Sequence, residues 1–186
     1  MRNPSEKIIL GIDPGTNILG YSILRVQGTK LSLLDIGVLT LNKVNGHELK
    51  LKRIFENTLD LIDNHHPDEL AIEAPFFGKN VQSMLKLGRA QGVAMAAGLY
   101  RCIPIFEYSP RKIKQAITGT GNASKEQVAG MLQHLLNLET LPDKLDATDA
   151  AAAAVCHHFQ NGRGSKSKKS NDWSGFVKNN PGRIAI

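Results

Sequence analysis

The chain has 186 residues, 41% of them hydrophobic, and a formal net charge of +6. This length suits one domain of about 100–200 residues, and this apolar fraction excludes an intrinsically disordered chain. No apolar run approaches the ~18 residues of a membrane span, and the polar first six residues do not resemble a secretory signal. The two cysteines argue against a disulfide framework or a zinc site. We therefore expect a globular cytoplasmic protein with no membrane partner.

Most of the positive charge lies at the carboxyl end of the chain. From residue 160 onward there are six basic residues and one acid, so this stretch supplies +5 of the net +6. A basic chain favours a polyanionic partner, but a nucleic-acid surface on the body must then come from local clusters of cations. We predict one folded domain over residues 1–159 and a basic, disordered tail over residues 160–186, which is rich in Gly, Ser, Asn and Lys.

Three strands are predicted first, over residues 7–13, 19–26 and 30–39. The first is a nearly continuous β-branched run, as expected for a strand that is buried on both faces. It ends in Asp13 and a Pro-Gly turn, an unusual place for a charge. The short loop Gln27-Gly28-Thr29 predicts that the second and third strands are antiparallel neighbours.

Helices then alternate with two short strands. A helix with a 3.6-residue apolar period is predicted over residues 47–65, a strand over 69–73, a Gly- and Ala-rich helix over 80–101 and a strand over 104–108. Further helices begin at Ser109-Pro110 and at the capping box of Ser124 and Gln127, and a last helix runs from Pro142 to about residue 159. This order predicts an α/β fold with a five-stranded mixed sheet, three antiparallel strands plus two parallel, and helices on both faces.

Four carboxylates stand where predicted elements begin or end. Asp13 and Glu73 each end a strand, and they meet at one edge of the sheet if those strands are parallel neighbours. Asp146 and Asp149 are three residues apart, so they share one face of the last helix. Gathered carboxylates raise one another's pKa values, and hard divalent cations such as Mg²⁺ relieve the repulsion. Two such ions about 3.5–4 Å apart form a clamp that hydrolyses phosphodiesters.

Each acid also has a purely structural interpretation. Carboxylates in a first helical turn complement the helix dipole, which would account for Asp146 and Asp149. Glu73 could be a solvated strand end. Asp13 is harder to explain in this way, because a charge at the end of a buried strand is costly unless it is paired. The four acids together are therefore more informative than any one of them.

Four stretches carry a resemblance to a known family. They are Gly11-Ile12-Asp13-Pro14-Gly15, Glu73-Ala74-Pro75-Phe76, Asn80 through Leu87-Gly88-Arg89-Ala90-Gln91-Gly92, and Asp146-Ala147-Thr148-Asp149-Ala150. With these motifs in this order, the chain resembles the RuvC Holliday junction resolvases of the RNase H-like nuclease superfamily. The resemblance covers residues 7–159 and leaves the basic tail outside.

The resemblance implies a homodimeric crossover junction endodeoxyribonuclease that makes paired, symmetric cuts in four-way DNA junctions during homologous recombination and DNA repair. It implies two Mg²⁺ ions per subunit, for which Mn²⁺ can substitute, and a RuvA-RuvB branch-migration helicase as partner. The implied catalytic residues are the metal-binding acids and two lysines, namely Asp13, Glu73, Asp146, Asp149, Lys114 and Lys125.

The resemblance also places a junction-inserted aromatic at Phe76, with Phe77 as its neighbour. An exposed aromatic in the loop between Pro75 and Gly78 could wedge between bases or stack on one, and the alternative for both rings is core filling. Polar candidates for DNA contact are Lys79, Asn80, Lys86, Arg89, Arg111, Lys112, Lys114 and Lys125. Any single lysine among them can equally be a solvated charge.

Three other classes of protein share part of this pattern. The stretch from Gly11 to Thr16 also resembles the phosphate loop of actin-like ATPases and sugar kinases, whose second nucleotide-clamping half needs more chain than 186 residues without a repeat. The YqgF family shares this first motif, whereas the loop after Glu73 and the helix with Leu87-Gly88-Arg89 favour RuvC. A non-catalytic junction-binding module is the third alternative, and the intact acids argue against it.

Overall fold

The computed structural model describes residues 6–75, 80–140 and 144–163, with side chains as far as residue 160. The elements are β1 (Glu6–Asp13), β2 (Ile18–Gln27), β3 (Lys30–Thr40), α1 (His47–His65), β4 (Glu69–Glu73), α2 (Val81–Tyr100), β5 (Ile105–Tyr108), α3 (Pro110–Thr118), α4 (Lys125–Leu136) and α5 (Leu145–Arg163). None of the helices in these ranges is long and apolar enough to cross a membrane.

The described strands form one five-stranded sheet in the order β3-β2-β1-β4-β5. Strand β1 pairs antiparallel with β2, and β2 pairs antiparallel with β3. On its other side β1 pairs parallel with β4, which in turn pairs parallel with β5. The predicted mixed α/β fold is therefore confirmed, including the division into three antiparallel and two parallel strands.

Alternate side chains of the central strand enter two separate cores. Ile9 packs into the core on one face of the sheet, beneath residues of α3, α4 and α5. Leu10 and Ile12 pack into the core on the opposite face, with residues of α1 and α2. Because side chains alternate along a strand, the near-continuous apolar run in β1 follows from burial on both faces.

Helix α5 lies directly on strands β1 and β2, because glycines remove the side chains that would separate them. A Cβ at Gly11 would collide with the backbone carbonyl of Ala150, and a Cβ at Gly20 would collide with that of Asp146. On the helix side the facing surface is a run of buried alanines, residues 150–154. This close contact fixes the first turns of α5 over the carboxyl end of β1.

The last helix differs in both bounds from the prediction. It begins at Leu145, and the predicted start at Pro142 lies outside the described residues. It continues to Arg163, four residues past the expected boundary between domain and tail. The helix therefore continues past the point where the composition becomes polar.

Candidate active site

The parallel pairing of β1 and β4 brings two acids to one edge of the sheet. Ile12 is paired with Ile72, so Asp13 and Glu73, the next residue in each strand, leave the sheet side by side. Helix α5 brings Asp146 and Asp149 to the same edge, since its first turn touches the backbone of Gly20, the partner of Asp13 in β2. Three separate parts of the chain thus contribute carboxylates to one place.

These acids border a cleft of about 510 Å³ between the sheet edge and helices α3, α4 and α5. Asp13, Glu73 and Asp149 line it, and Asp146 lies close enough to raise the pKa of Asp13. The same cleft is also lined by three basic side chains, those of Arg111, Lys114 and Lys125. The arrangement suits a ligand that meets both cations and carboxylates.

Burial, followed by the neighbouring carboxylates of Glu73, Asp149 and Asp146 in that order, raises the pKa of Asp13 to about 8, although Lys125 opposes the shift. Burial, followed by Asp149, also raises the pKa of Glu73 to about 7, although Lys125 and Lys114 oppose the shift. Strongly perturbed acids in a cleft are typical of functional sites. Near neutral pH these two carboxyls hold protons that exposed acids would have released.

Lys125 is the cation nearest to the acids. Its Nζ lies 2.5 Å from Oδ2 of Asp149. Burial alone would lower the pKa of Lys125, but the hydrogen bond to Asp149 and the charges of Asp13 and Asp146 outweigh it, and the pKa is raised. The residue opens α4, where Ser124 and Gln127 form the predicted capping box. The cap therefore fixes the backbone from which this lysine reaches the acids.

The donor chemistry of the cleft fits a hard divalent cation. Its four acids offer only carboxylate oxygens, which Mg²⁺ and Mn²⁺ prefer. Within residues 6–75, 80–140 and 144–163, no three His, Cys, Asp or Glu side chains already surround one point in the manner of a metal centre. Lys125 instead neutralises Asp149. A cation that used Oδ2 of Asp149 would have to displace Lys125 from that oxygen.

Two residues that support the site are not among the predicted site residues, although Gln91 lies within the third motif. Gln91 of α2 is buried, and its Nε2 donates to Oε2 of Glu107 at 2.9 Å and to the carbonyl of Glu73 at 3.4 Å. Ser109 lines the cleft and caps α3 by accepting from the backbone N–H of Lys112. A signal for Gln91 exists, because it is the polar residue on the otherwise small and apolar buried face of α2.

The other candidate DNA contacts are spread over several surfaces. Arg111 and Lys114 line the cleft, whereas Lys112 places its Nζ 5.0 Å from the centre of the Tyr108 ring and does not line it. Asn80 caps α2 by accepting from the backbone N–H of Ser83 at 3.0 Å. Lys86 lines a second cleft, and Arg89 is exposed on α2. Three further candidates lie outside the described residues, namely Phe76, Phe77 and Lys79.

The comparisons with known proteins agree with the resemblance seen in the motifs. The family model "Crossover junction endodeoxyribonuclease RuvC" matches residues 9–157. The RuvC of Christiangramia forsetii is 63% identical over 97% of this chain and 94% of its own. That of Bacteroides fragilis is 60% identical over 96% of both chains.

Solved structures give the same result. Thermus thermophilus RuvC in complex with Holliday junction substrate has a TM-score of 0.80 and 31% identity, covering 86% of this chain and 97% of that one. The family-model match spans most of the chain, including the sequence positions of all four acids. The chain belongs to the RuvC family of crossover junction endodeoxyribonucleases.

Proposed function

We propose that this chain resolves four-way DNA junctions by paired, symmetric phosphodiester hydrolysis in recombination and repair, in the cytoplasm. The observation that carries the proposal is the convergence of Asp13, Glu73 and Asp149, with Asp146 beside them, in a cleft that also holds Lys114 and Lys125. Acids from three distant segments have no structural reason to be buried together, because each raises the cost of ionising the others.

We assign the four acids as ligands of two Mg²⁺ ions, with Mn²⁺ as a substitute. When bound, a pair of such ions lowers the pKa of an attacking water and stabilises the leaving oxygen. Asp13 is central to this assignment because its pKa is raised further from its ordinary value than that of Glu73. In the absence of metal its carboxyl holds a proton near neutral pH, which it must release to become a ligand.

Lys114 and Lys125 are proposed to hold the non-bridging oxygens of the reacting phosphate. Both lie close enough to oppose the rise in the pKa of Glu73, so both ammonium groups interact electrostatically with the acids of the cleft. A preorganised cation costs no reorganisation when negative charge develops at the phosphate. The ion pair of Lys125 with Asp149 keeps this ammonium beside the acids until a divalent cation replaces it.

A homodimer is proposed because a junction has two strands to be cut symmetrically, and a two-fold dimer presents two identical sites. Helix α2 offers a surface for it. Among its exposed apolar side chains are Val81 at 67% and Leu85 at 57% exposure, and a Cβ at Gly88 or Gly92 would meet open space. Three further points stay predictions. They are the role of Phe76 as a base wedge, the RuvA-RuvB helicase as a partner, and the tail over residues 160–186 as a separate segment.

The proposed function is tested with a synthetic four-way junction and a linear duplex of the same sequence, each incubated with Mg²⁺. We expect paired cuts in opposed strands of the junction and none in the duplex, by a protein that sediments as a dimer. Binding without cutting would support a non-catalytic module. Turnover of a nucleotide instead of DNA would support the kinase-like alternative.

Metal-free protein should lose thermal stability as the pH rises from about 5.5 to 8.5. The folded pKa of Asp13 is about 8 against 3.8 for an ordinary Asp, so between these values the folded state binds a proton that the unfolded state has released. Stability therefore falls as pH rises through this window. Because Mg²⁺ binds the ionised acids of the folded state, it should raise the melting temperature more at pH 8.5 than at pH 5.5.

The control for this prediction is Asp13→Asn, which removes the titrating group. Its melting temperature in EDTA should vary less with pH, and Mg²⁺ should have a smaller effect at pH 8.5. Differential scanning fluorimetry with EDTA or Mg²⁺ measures both. An equal shift by Mg²⁺ at the two pH values in the wild-type protein would contradict the assignment of Asp13 as a ligand.

A further inference from the structure

A second cleft, of about 480 Å³, lies at the same edge of the sheet as the acids. It is built from the loop between β1 and β2, the beginning of α1 and the first turns of α2. Its polar side chains include Thr16, Asn17, His47, Lys50, Ser83 and Lys86. Whereas α3, α4 and α5 pack on one face of the sheet, α1 and α2 pack on the other. The two clefts therefore flank one sheet edge.

The second cleft is basic, whereas the first has both acids and cations in its lining. Two lysines and a histidine line the second cleft, and no carboxylate among the described residues does. One acid, Glu48, borders it, because a Cβ at Gly46 would touch the Glu48 carboxylate. Lys86 is exposed and makes no ion pair or hydrogen bond with any residue that the structure describes. Three residues further along α2 is the exposed Arg89, on the same face of the helix.

Lys50 connects this cleft to the loop that follows Asp13. Its Nζ donates to the carbonyl of Thr16 and to Oδ1 of Asn17, each at 3.1 Å. Two of the three N–H donors of the ammonium are used in this way, so one is available to a ligand. Asn17 is also held at the sheet edge, because its carbonyl accepts from the backbone N–H of Leu41 at 2.8 Å.

The chain limits the distance between the two clefts. Asn17 is four residue steps after Asp13, and an extended chain spans at most ~3.6 Å per residue, so the two Cα atoms are no more than about 14 Å apart. Phosphates of one DNA strand follow one another every ~3.4 Å along the helix axis. A strand held at the acids thus places another phosphate at the second cleft within about two to four nucleotides.

We propose that the second cleft binds a backbone phosphate of the DNA strand held at the acidic site, through Lys50 and Lys86. The inference rests on the proposed nuclease function and deepens it. A polyanion that approaches four carboxylates is repelled by them, and cations on only one side would leave the strand free to pivot. Lys114 and Lys125 hold it from the face of α3 and α4, and the second cleft holds it from the face of α1 and α2.

The test is the salt dependence of junction binding in EDTA, which keeps every strand uncut. The double variant Lys50→Gln with Lys86→Gln should lower the slope of log affinity against log salt by about 0.9, the value for one phosphate. The matched control is Lys30→Gln with Lys52→Gln, which removes the same charge. Lys30 lies in the hairpin at the far end of β2, and Lys52 is paired with Glu56. The control should keep the wild-type slope.

Loss of Lys50 can also disturb the loop at Thr16 and Asn17, which Lys50 supports. The single variant Lys86→Gln leaves that loop intact and should lower the slope in the same direction. A methylphosphonate scan of the cut strand then locates the contact. Neutralising one phosphate, two to four nucleotides from the cut, should weaken binding by wild type but not by the double variant, because the two changes remove the same interaction.

The inference is overturned if the double variant and Lys86→Gln keep the wild-type slope, or if the scan gives the same profile for wild type and double variant. Paired cutting by the wild-type protein in that case would leave the proposed nuclease function intact. A wild-type protein that neither binds nor cuts the junction would overturn both.

Discussion

Asp13→Asn should reduce cleavage of a four-way junction by about 10³-fold or more while junction binding in EDTA is kept. The asparagine has nearly the same shape, but it offers one neutral oxygen where the carboxylate offers two charged ones. Metal ions at such sites contribute several kcal/mol to transition-state stabilisation, and each 1.36 kcal/mol is a factor of ten in rate. Binding is kept because asparagine has nearly the same shape and brings no negative charge towards the phosphate backbone.

The same substitution should also stabilise the metal-free protein at pH 8. Burial and three carboxylate neighbours disfavour the ionised form of Asp13, and asparagine does not carry that cost. Lost activity together with gained stability separates a functional acid from a structural one, since removal of a structural ion pair would lower stability.

Asp60→Asn is the matched control, because it makes the same chemical change at an exposed position of α1. Asp146→Asn should behave like Asp13→Asn in cleavage. Rates are measured on labelled junctions with saturating Mg²⁺, and binding is measured by fluorescence anisotropy in EDTA. Near-normal cutting by either active-site variant would refute the metal assignment.

The sequence was sufficient to predict the elements and the acids because both follow from local patterns. Helix α1 and strand β4 have the predicted bounds, residues 47–65 and 69–73. A 3.6-residue period and a strand that ends in a carboxylate can be recognised without tertiary information. The meeting of Asp13 and Glu73 at one edge of the sheet needed only that their strands be parallel neighbours, and β1 and β4 are paired in this way.

The contacts within the site could not be predicted, because they depend on how elements pack. The ion pair of Lys125 with Asp149 joins residues 24 apart on two helices, and no periodicity indicates their distance. His157 is similar: its Nδ1 lies 2.6 Å from the hydroxyl of Tyr108, and its Nε2 lies against the Glu69 carboxylate. This buried network connects α5 to β4 and β5 and has no sequence motif.

The placement of Asp146 depends on Gly20, which lies outside all four motifs. Gly11, which contacts α5 one turn further on, belongs to the first motif. A glycine inside a strand is a signal of close backbone approach, although the sequence does not say which element approaches. The structure identifies it as the first turn of α5, at the carbonyl of Asp146.

Gly20→Ala should therefore destabilise the protein and impair cleavage. The added Cβ would overlap the backbone carbonyl of Asp146, and two backbones cannot yield as a flexible side chain does. Overpacking of this kind costs about 1–3 kcal/mol, which denaturant unfolding measures. Relief of the overlap moves the start of α5 away from β2, and a displacement of about 1 Å at a catalytic group can cost 10²-fold in rate.

Gly130→Ala is the control, because a Cβ at this position of α4 would meet nothing within 4 Å. It should leave cleavage unchanged and stabilise the protein by about 0.5–1 kcal/mol, as alanine does in helix interiors. Cleavage by Gly20→Ala must be measured well below its own melting temperature, so that the rate reports the position of Asp146 and not the folded fraction. A fully folded Gly20→Ala protein with wild-type cleavage would show that the contact of α5 with β2 does not set the geometry of the acids.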